Sequence, residues 1–263
     1  MDINTIRYYY NKAKKAKDDV KGVYNEVLEF TDLSYSILDT ETKDLTINEI
    51  DSVIPVALND LVSFLMSSLI SRSTKWATIS MNEKLYSLLN GDTDAYASSQ
   101  EVVTLNRQLE TVADVTYTYL NQSNYYTEIA KALRECVNIG TGAYRVSEKD
   151  DPIMPFIFKY LPQDDLYYWE DAFGNPNYVF KILRAVNMVS LQLMFGDSIK
   201  KPSSLSNENE DTISLMEVIY PHEKEPHMYM YEVYTQDLSE KLFSIELDYC
   251  PIVIFRKQCS LRK

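Results

Sequence analysis

Residues 123–146 read SNYYTEIAKALRECVNIGTGAYRV. The first part carries Ile129, Leu133 and Val137 at the spacing of one helical face. Ser123 or Asn124 stands where a short polar side chain caps a helix, and Glu128 lies near the positive end of its dipole. Gly140 suits the left-handed position just past a helix, where a Cβ would clash. Ala143, Tyr144, Arg145 and Val146 then form a β-prone run. Gly140-Thr141-Gly142 superficially suggests a nucleotide loop. Phosphate loops, however, lead from a strand into a helix, so that helix amides face the anion. Here the order is reversed. The glycines read as a helix stop and a tight turn into a strand.

Upstream the chain reads as helices. Ile6, Tyr9, Ala13, Ala16, Val20, Val23 and Val27 draw one apolar stripe, with Lys12, Lys14, Lys15, Lys17 and Lys21 between them as a solvated face. A second helix is announced by a capping-box pattern at Thr46-Ile47-Asn48-Glu49, or by Ser52 with Pro55 in the first turn. Its face, from Ala57 and Leu58 through Leu61, Val62, Leu65 and Met66 to Leu69, is wide enough to be covered on more than one side. A third helix begins around Ser98-Ser99-Gln100-Glu101 and runs toward Leu120.

Downstream the periodicity changes to short aromatic and β-branched runs. Residues 155–161 read as a strand, and residues 166–170 and 178–183 flank a hairpin turn at Asp171, Gly174, Asn175 and Pro176. A short helix follows, capped by Asn187, with Leu191 and Met194 as buried positions and Gly196 as its stop. Residues 197–211 form a polar loop, and further strands are expected at 215–220, 228–234 and 252–255. The expectation is a single α+β body over 1–263, with 1–140 mainly helical and 141–263 built of strands and antiparallel hairpins packed with it.

Composition narrows the chemistry. At 263 residues and 45% hydrophobic, the chain can bury a substantial core. A net charge of −13 speaks against a conventional nucleic-acid reader, which needs a basic surface. Cys136, Cys250 and Cys259 are odd in number and scattered, which indicates neither a zinc site nor a disulfide framework and suits a reducing compartment. Residues 53–70 are too short and too polar for a membrane span. Two histidines, His222 and His227, flank a Glu- and Pro-containing turn, where exposure is expected, and no nucleophile elbow occurs. Asp164, Asp165, Glu170 and Asp171 are the densest carboxylate group and the one candidate for a divalent metal. The expected reading of these four is solvated hairpin ends, with no catalytic residue, cofactor or metal site.

The order of segments carries a resemblance. An apolar helix closes on Ser71-Arg72-Ser73-Thr74-Lys75-Trp76, followed by Ser123-Asn124-Tyr125 and Gly140-Thr141-Gly142-Ala143. Then come Pro155-Phe156-Ile157-Phe158, Tyr160-Leu161-Pro162, the Gly174 hairpin, Leu191 to Gly196, and Pro251-Ile252-Val253-Ile254-Phe255-Arg256. In this order the chain resembles the head-to-tail connector, or portal, proteins of short-tailed bacteriophages. The resemblance implies a virion structural protein without catalysis, whose body is wing-like. It implies a homo-oligomeric ring, usually dodecameric, at one capsid vertex. Such a ring meets capsid and scaffolding proteins, the packaging terminase and tail or adaptor proteins, and passes double-stranded DNA without reading its sequence. The implied locations are the virion and, during assembly, the host cytoplasm.

Members of this family are commonly about twice as long and continue into stem, clip and crown. No such continuation follows Arg256 within residues 257–263, so a partial or shortened subunit, monomeric or weakly associated alone, is expected. Two other readings stay open. One is a soluble monomeric interaction module of similar fold, and the other is a metal-dependent enzyme using the carboxylates around Trp169.

Overall fold

The computed structural model describes residues 2–31, 53–81, 100–172, 174–205, 211–225 and 227–256. The corner at Gly140 is built as the sequence suggests. Helix α4 (Tyr125–Ile139) stops at Gly140, whose φ of 87° is left-handed and whose N–H donates to the Cys136 carbonyl at 2.9 Å. Strand β1 (Thr141–Glu148) begins at the next residue. Gly142 is needed for a different reason. A Cβ there would collide with the Ala132 carbonyl oxygen and sit 2.8 Å from the Phe255 ring, so only glycine lets β1 lie this close to α4.

Strand β1 is the middle of a small antiparallel sheet, between β2 (Phe156–Tyr160) and β8 (Ile252–Arg256). A second antiparallel sheet runs in order through β3 (Leu166–Glu170), β4 (Pro176–Val186), β5 (Ile213–Pro221), β6 (Tyr229–Thr235) and β7 (Lys241–Leu247). The β3–β4 hairpin turns at Gly174, with φ of 83°. Helix α5 (Met188–Phe195) follows β4, with the Asn187 side chain accepting from the Ser190 N–H at 2.9 Å and Gly196 at its end; Leu191 is buried as expected, but Met188 is its buried companion and Met194 is exposed. The fold is therefore α+β, with helices first and antiparallel sheets after. Strand β7 was not foreseen: its Leu242 is buried, but Ser244, Ile245 and Glu246 are exposed on this edge strand and blur the alternation.

Alternation along the large sheet supplies two cores. On one face Val179, Leu215, Ile219, Val233 and Leu242 meet Ala143, Leu161 and Ile252, with Leu191 of α5. On the other face Phe180, Met216, Val218, Tyr220 and Tyr234 meet Ile6 and Ala13 of helix α1 (Ile3–Thr31). The stripe on α1 is buried only in its first half; Val20 and Val23 are exposed. A third core lies between α4 and the small sheet, with Tyr125, Ile129 and Phe158 buried and Met66, Ile70 and Leu120 packed on them. Met66 belongs to helix α2 (Val53–Leu69) and Leu120 to helix α3 (Gln100–Gln122). Pro55 lies in the first turn of α2 as expected; Thr46 to Glu49, Ser52, Ser98 and Ser99 lie outside the described residues.

One row of side chains on α4 ties this layer together. Asn124 does not cap its own helix; Ser123 Oγ accepts from the Tyr125 N–H at 3.2 Å instead. The Asn124 amide exchanges two hydrogen bonds with the backbone of Phe158, at 2.7 and 2.9 Å. Glu128 accepts from the Tyr160 N–H at 2.7 Å, and Glu135 from the Gln163 N–H at 3.0 Å. Burial pushes the Glu135 carboxyl up to about 6, against the hydrogen bonds from Gln163 and Tyr160.

These contacts predict stability. Gly142→Ala should cost about 1–3 kcal/mol through overpacking against backbone, and Gly140→Ala about 1–2 kcal/mol through left-handed strain. Urea unfolding measures both, and a neutral Gly142→Ala would refute the close approach. The folded pKa of Glu135 is above its unfolded value of 4.5, so its contribution is fully present below pH 4.5 and is lost as pH rises through about 6. Glu135→Gln should therefore gain about 1 kcal/mol on the wild type between pH 4.5 and 7.5. A pH-independent difference in unfolding midpoints would show that burial of this charge is not the cause.

Candidate functional site

The carboxylates singled out in the sequence do not converge. Asp165 pairs with Arg184 at 2.7 Å. Asp171 closes the hairpin turn, accepting from the Asn175 N–H at 2.8 Å. Glu170, at the far end of β3 from Asp164 and Asp165, pairs with Arg256. No group of three or more metal-ligating side chains occurs among the described residues. Arg256, last residue of the segment used for the resemblance, also lies over the Tyr168 ring at 5.3 Å and fastens the small sheet to the β3–β4 hairpin.

The histidine turn departs from the exposed default at one position. His222 is half-buried, and its Nδ1 accepts from the N–H groups of Lys224 and Glu225 at 3.3 and 3.1 Å. It shapes the β5–β6 turn, while His227 is exposed. The basic face of α1 also divides. Lys14, Lys15 and Lys21 are exposed as expected. Lys12 is exposed too but lies 4.5 Å from the Tyr8 ring and 5.0 Å from the Trp169 ring. Lys17 is not solvated: its ammonium donates to the carbonyls of Gln163, Asp164 (2.7 Å) and Leu166 (3.1 Å), with the Tyr167 ring 4.1 Å away. Burial pulls it down to about 8. A chain turn with three inward carbonyls is a cation site that no local pattern announces.

Two buried carboxylates carry more of the architecture. Glu217 on β5 accepts from Arg145 of β1 at 2.6 Å, pairs with Lys181 of β4 at 3.3 Å and receives the Tyr231 hydroxyl. Burial favours its neutral form, but Arg145 and Lys181 outweigh that and hold its pKa down. On the opposite face, Glu232 accepts from Tyr220, Tyr234, Lys241 and Ser244 at 2.7–3.1 Å. A signal for both was present: each is a lone charge inside an apolar strand, in LMEVIY and YEVY.

The surface feature that stands out is helical. Helix α2 turns Pro55, Leu58 and Val62 inward, and leaves Val53, Val56, Phe64 and Leu69 more than half exposed. Helix α2 is thus covered on one side and offers Val53, Val56 and Phe64 outward on the other. Its C-terminal segment is held against the body: Arg72 donates to the Asn121 carbonyl at 3.2 Å, Lys75 pairs with Asp114, and Trp76 stacks on Tyr125 at 6.4 Å.

What the described residues offer is a layered body, two buried clusters around Glu217 and Glu232, and a helix with an apolar side turned outward. No curated protein matches the chain in sequence. The family described as bacteriophage head to tail connecting protein matches residues 4–256, which takes in every helix and strand except the first residue of α1. With the match running through the α4 corner, both sheets and the terminal Arg256, the chain belongs to the bacteriophage head-to-tail connecting protein family.

Proposed function

We propose that the chain works without catalysis, as a subunit of the ring that joins a phage head to its tail and through which DNA enters and leaves the capsid. Family membership supports the connector role. The outward side of α2 is the observation that supports the ring: Val53, Val56 and Phe64 are apolar, more than half exposed and on the side of the helix away from Pro55, Leu58 and Val62. Scattered apolar residues on a surface are ordinary, but three on one uncovered side of a helix, between Asp60 and Ser63, leave a place for a contact. Ring subunits need such contacts, made head to tail and closed by rotation. A net charge of −13 suits a channel protein that must let a polyanion slide rather than hold it. Among the described residues no helix is long and apolar enough to cross a membrane. The proposed partners are capsid, scaffolding and tail proteins and the packaging terminase, at the portal vertex of the virion and in the host cytoplasm during assembly.

Antibody labelling of virions by electron microscopy tests the role. One label per head, at the tail-bearing vertex, is expected; labels spread over the capsid or along the tail would contradict it. The contact has its own test. Val56→Glu and Phe64→Glu should weaken concentration-dependent self-association in sedimentation velocity. As exposed positions they should change folding stability by no more than about 0.5 kcal/mol. Unchanged association would remove α2 from the interface.

A further inference from the structure

A solvent-open cleft of about 430 Å³ lies between the two sheets, α4 and α5. Its floor is the Glu217 cluster with Arg145 and Lys181. Phe158, Leu183 and Phe195 form the walls, and Ile157 and Met194, 48% and 53% exposed, form an apolar rim. Asn124, Glu128, Ser147 and Lys159 complete the polar lining.

The charges on this floor do not balance. Glu128 is already engaged by Lys131 at 2.5 Å and the Tyr160 N–H at 2.7 Å. Arg145 and Lys181 therefore share the single carboxylate of Glu217. Tyr231 adds another donor to that same carboxylate, not an acceptor. Arg145 Nε and Glu217 Oε2 are both buried without a hydrogen-bond partner, the latter facing Lys181 as an ion pair. Lys181 is 8% exposed, and its three-proton ammonium pairs with Glu217 Oε2 at 3.3 Å. With Arg145 and Lys181 on the one carboxylate of Glu217, one buried positive charge lacks a counter-charge. Such a charge is costly unless paired, so an anion arriving through the cleft would be bound.

We infer that the cleft receives an acidic side chain carried on an apolar segment of a partner protein. The incoming carboxylate meets Lys181 and Arg145 with charge-assisted hydrogen bonds, and its apolar neighbours cover Ile157, Leu183, Met194 and Phe195. Nucleic acid suits the site less well. A duplex presents its phosphates on a stiff rod, whereas these cations lie beneath an apolar rim, with Glu128 and Glu217 opposing a polyanion.

The probe is 4-phenylbutyrate, a carboxylate on an apolar body, with its uncharged amide as control; binding is followed by calorimetry on the whole chain. The acid should bind at least about tenfold more tightly than the amide, the size of one charge-assisted hydrogen bond. Lys181→Met should erase that difference. Met194→Ser, at an exposed position that folding does not need, should weaken binding of the acid and leave the thermal midpoint in place. Equal affinity for acid and amide overturns the inference. So does inorganic phosphate binding as tightly as phenylbutyrate, or displacement of phenylbutyrate by a short DNA duplex.

Discussion

The absence of a side chain at Gly142 is the constraint from which the rest of the architecture follows. Because nothing stands between β1 and the Ala132 carbonyl, α4 lies directly along the small sheet. At that distance Asn124, Glu128 and Glu135, spaced by four and seven residues, reach the backbone N–H groups of Phe158, Tyr160 and Gln163. Strand β2 is an edge, and an edge strand's outward N–H groups need partners. The helix supplies them with side chains instead of another strand. With β2 fixed in register, the opposite face of the small sheet offers Ala143 and Ile252 to the large one.

The buried charges act on the same problem from the other direction. Glu217 and Glu232 lie on opposite faces of the large sheet, one toward the small sheet and one toward α1. A slip of one residue in β5 or β6 would turn every side chain to the wrong face. It would also strand a carboxylate in an apolar layer, a penalty of about 3–5 kcal/mol for a broken buried pair. Apolar residues of similar volume would fill these positions with equal or greater stability. The carboxylates therefore contribute to a single register more than to the depth of the minimum. Arg145 extends the effect across the inter-sheet gap, since its partner sits in the other sheet.

Much of this was legible in the chain itself, because it rests on local signals. The Gly140 stop, the Gly174 hairpin and the Asn187 cap each depend on a few neighbouring residues, and each stands where the pattern placed it. The helical first half and antiparallel second half follow from a change of apolar period. What was not legible depends on partners far along the chain. The split into two sheets comes from β1 pairing with β8, as in Thr141 with Arg256. Asn124 has the composition of a cap, but a distant strand offered better hydrogen bonds. Lys17 belonged by period to a solvated face until a turn near residue 164 surrounded it with carbonyls. Strand β7 escaped because an edge strand is half solvated and its alternation weak.

The proposed ring raises a question of balance that the surface answers in part. A chain of net charge −13 repels its own copies, but that repulsion is screened beyond about 8 Å at physiological salt. A contact must then be short-ranged and apolar, as the outward face of α2 is. Full burial of Val53, Val56 and Phe64 would contribute on the order of 5–9 kcal/mol. Association of two bodies costs about 4–15 kcal/mol in lost freedom, so one such contact between two subunits sits close to break-even. An open chain of subunits has one contact for each body that loses its freedom, and closing it into a ring adds one further contact at no further loss. That last contact is what favours the closed ring over open chains of the same length.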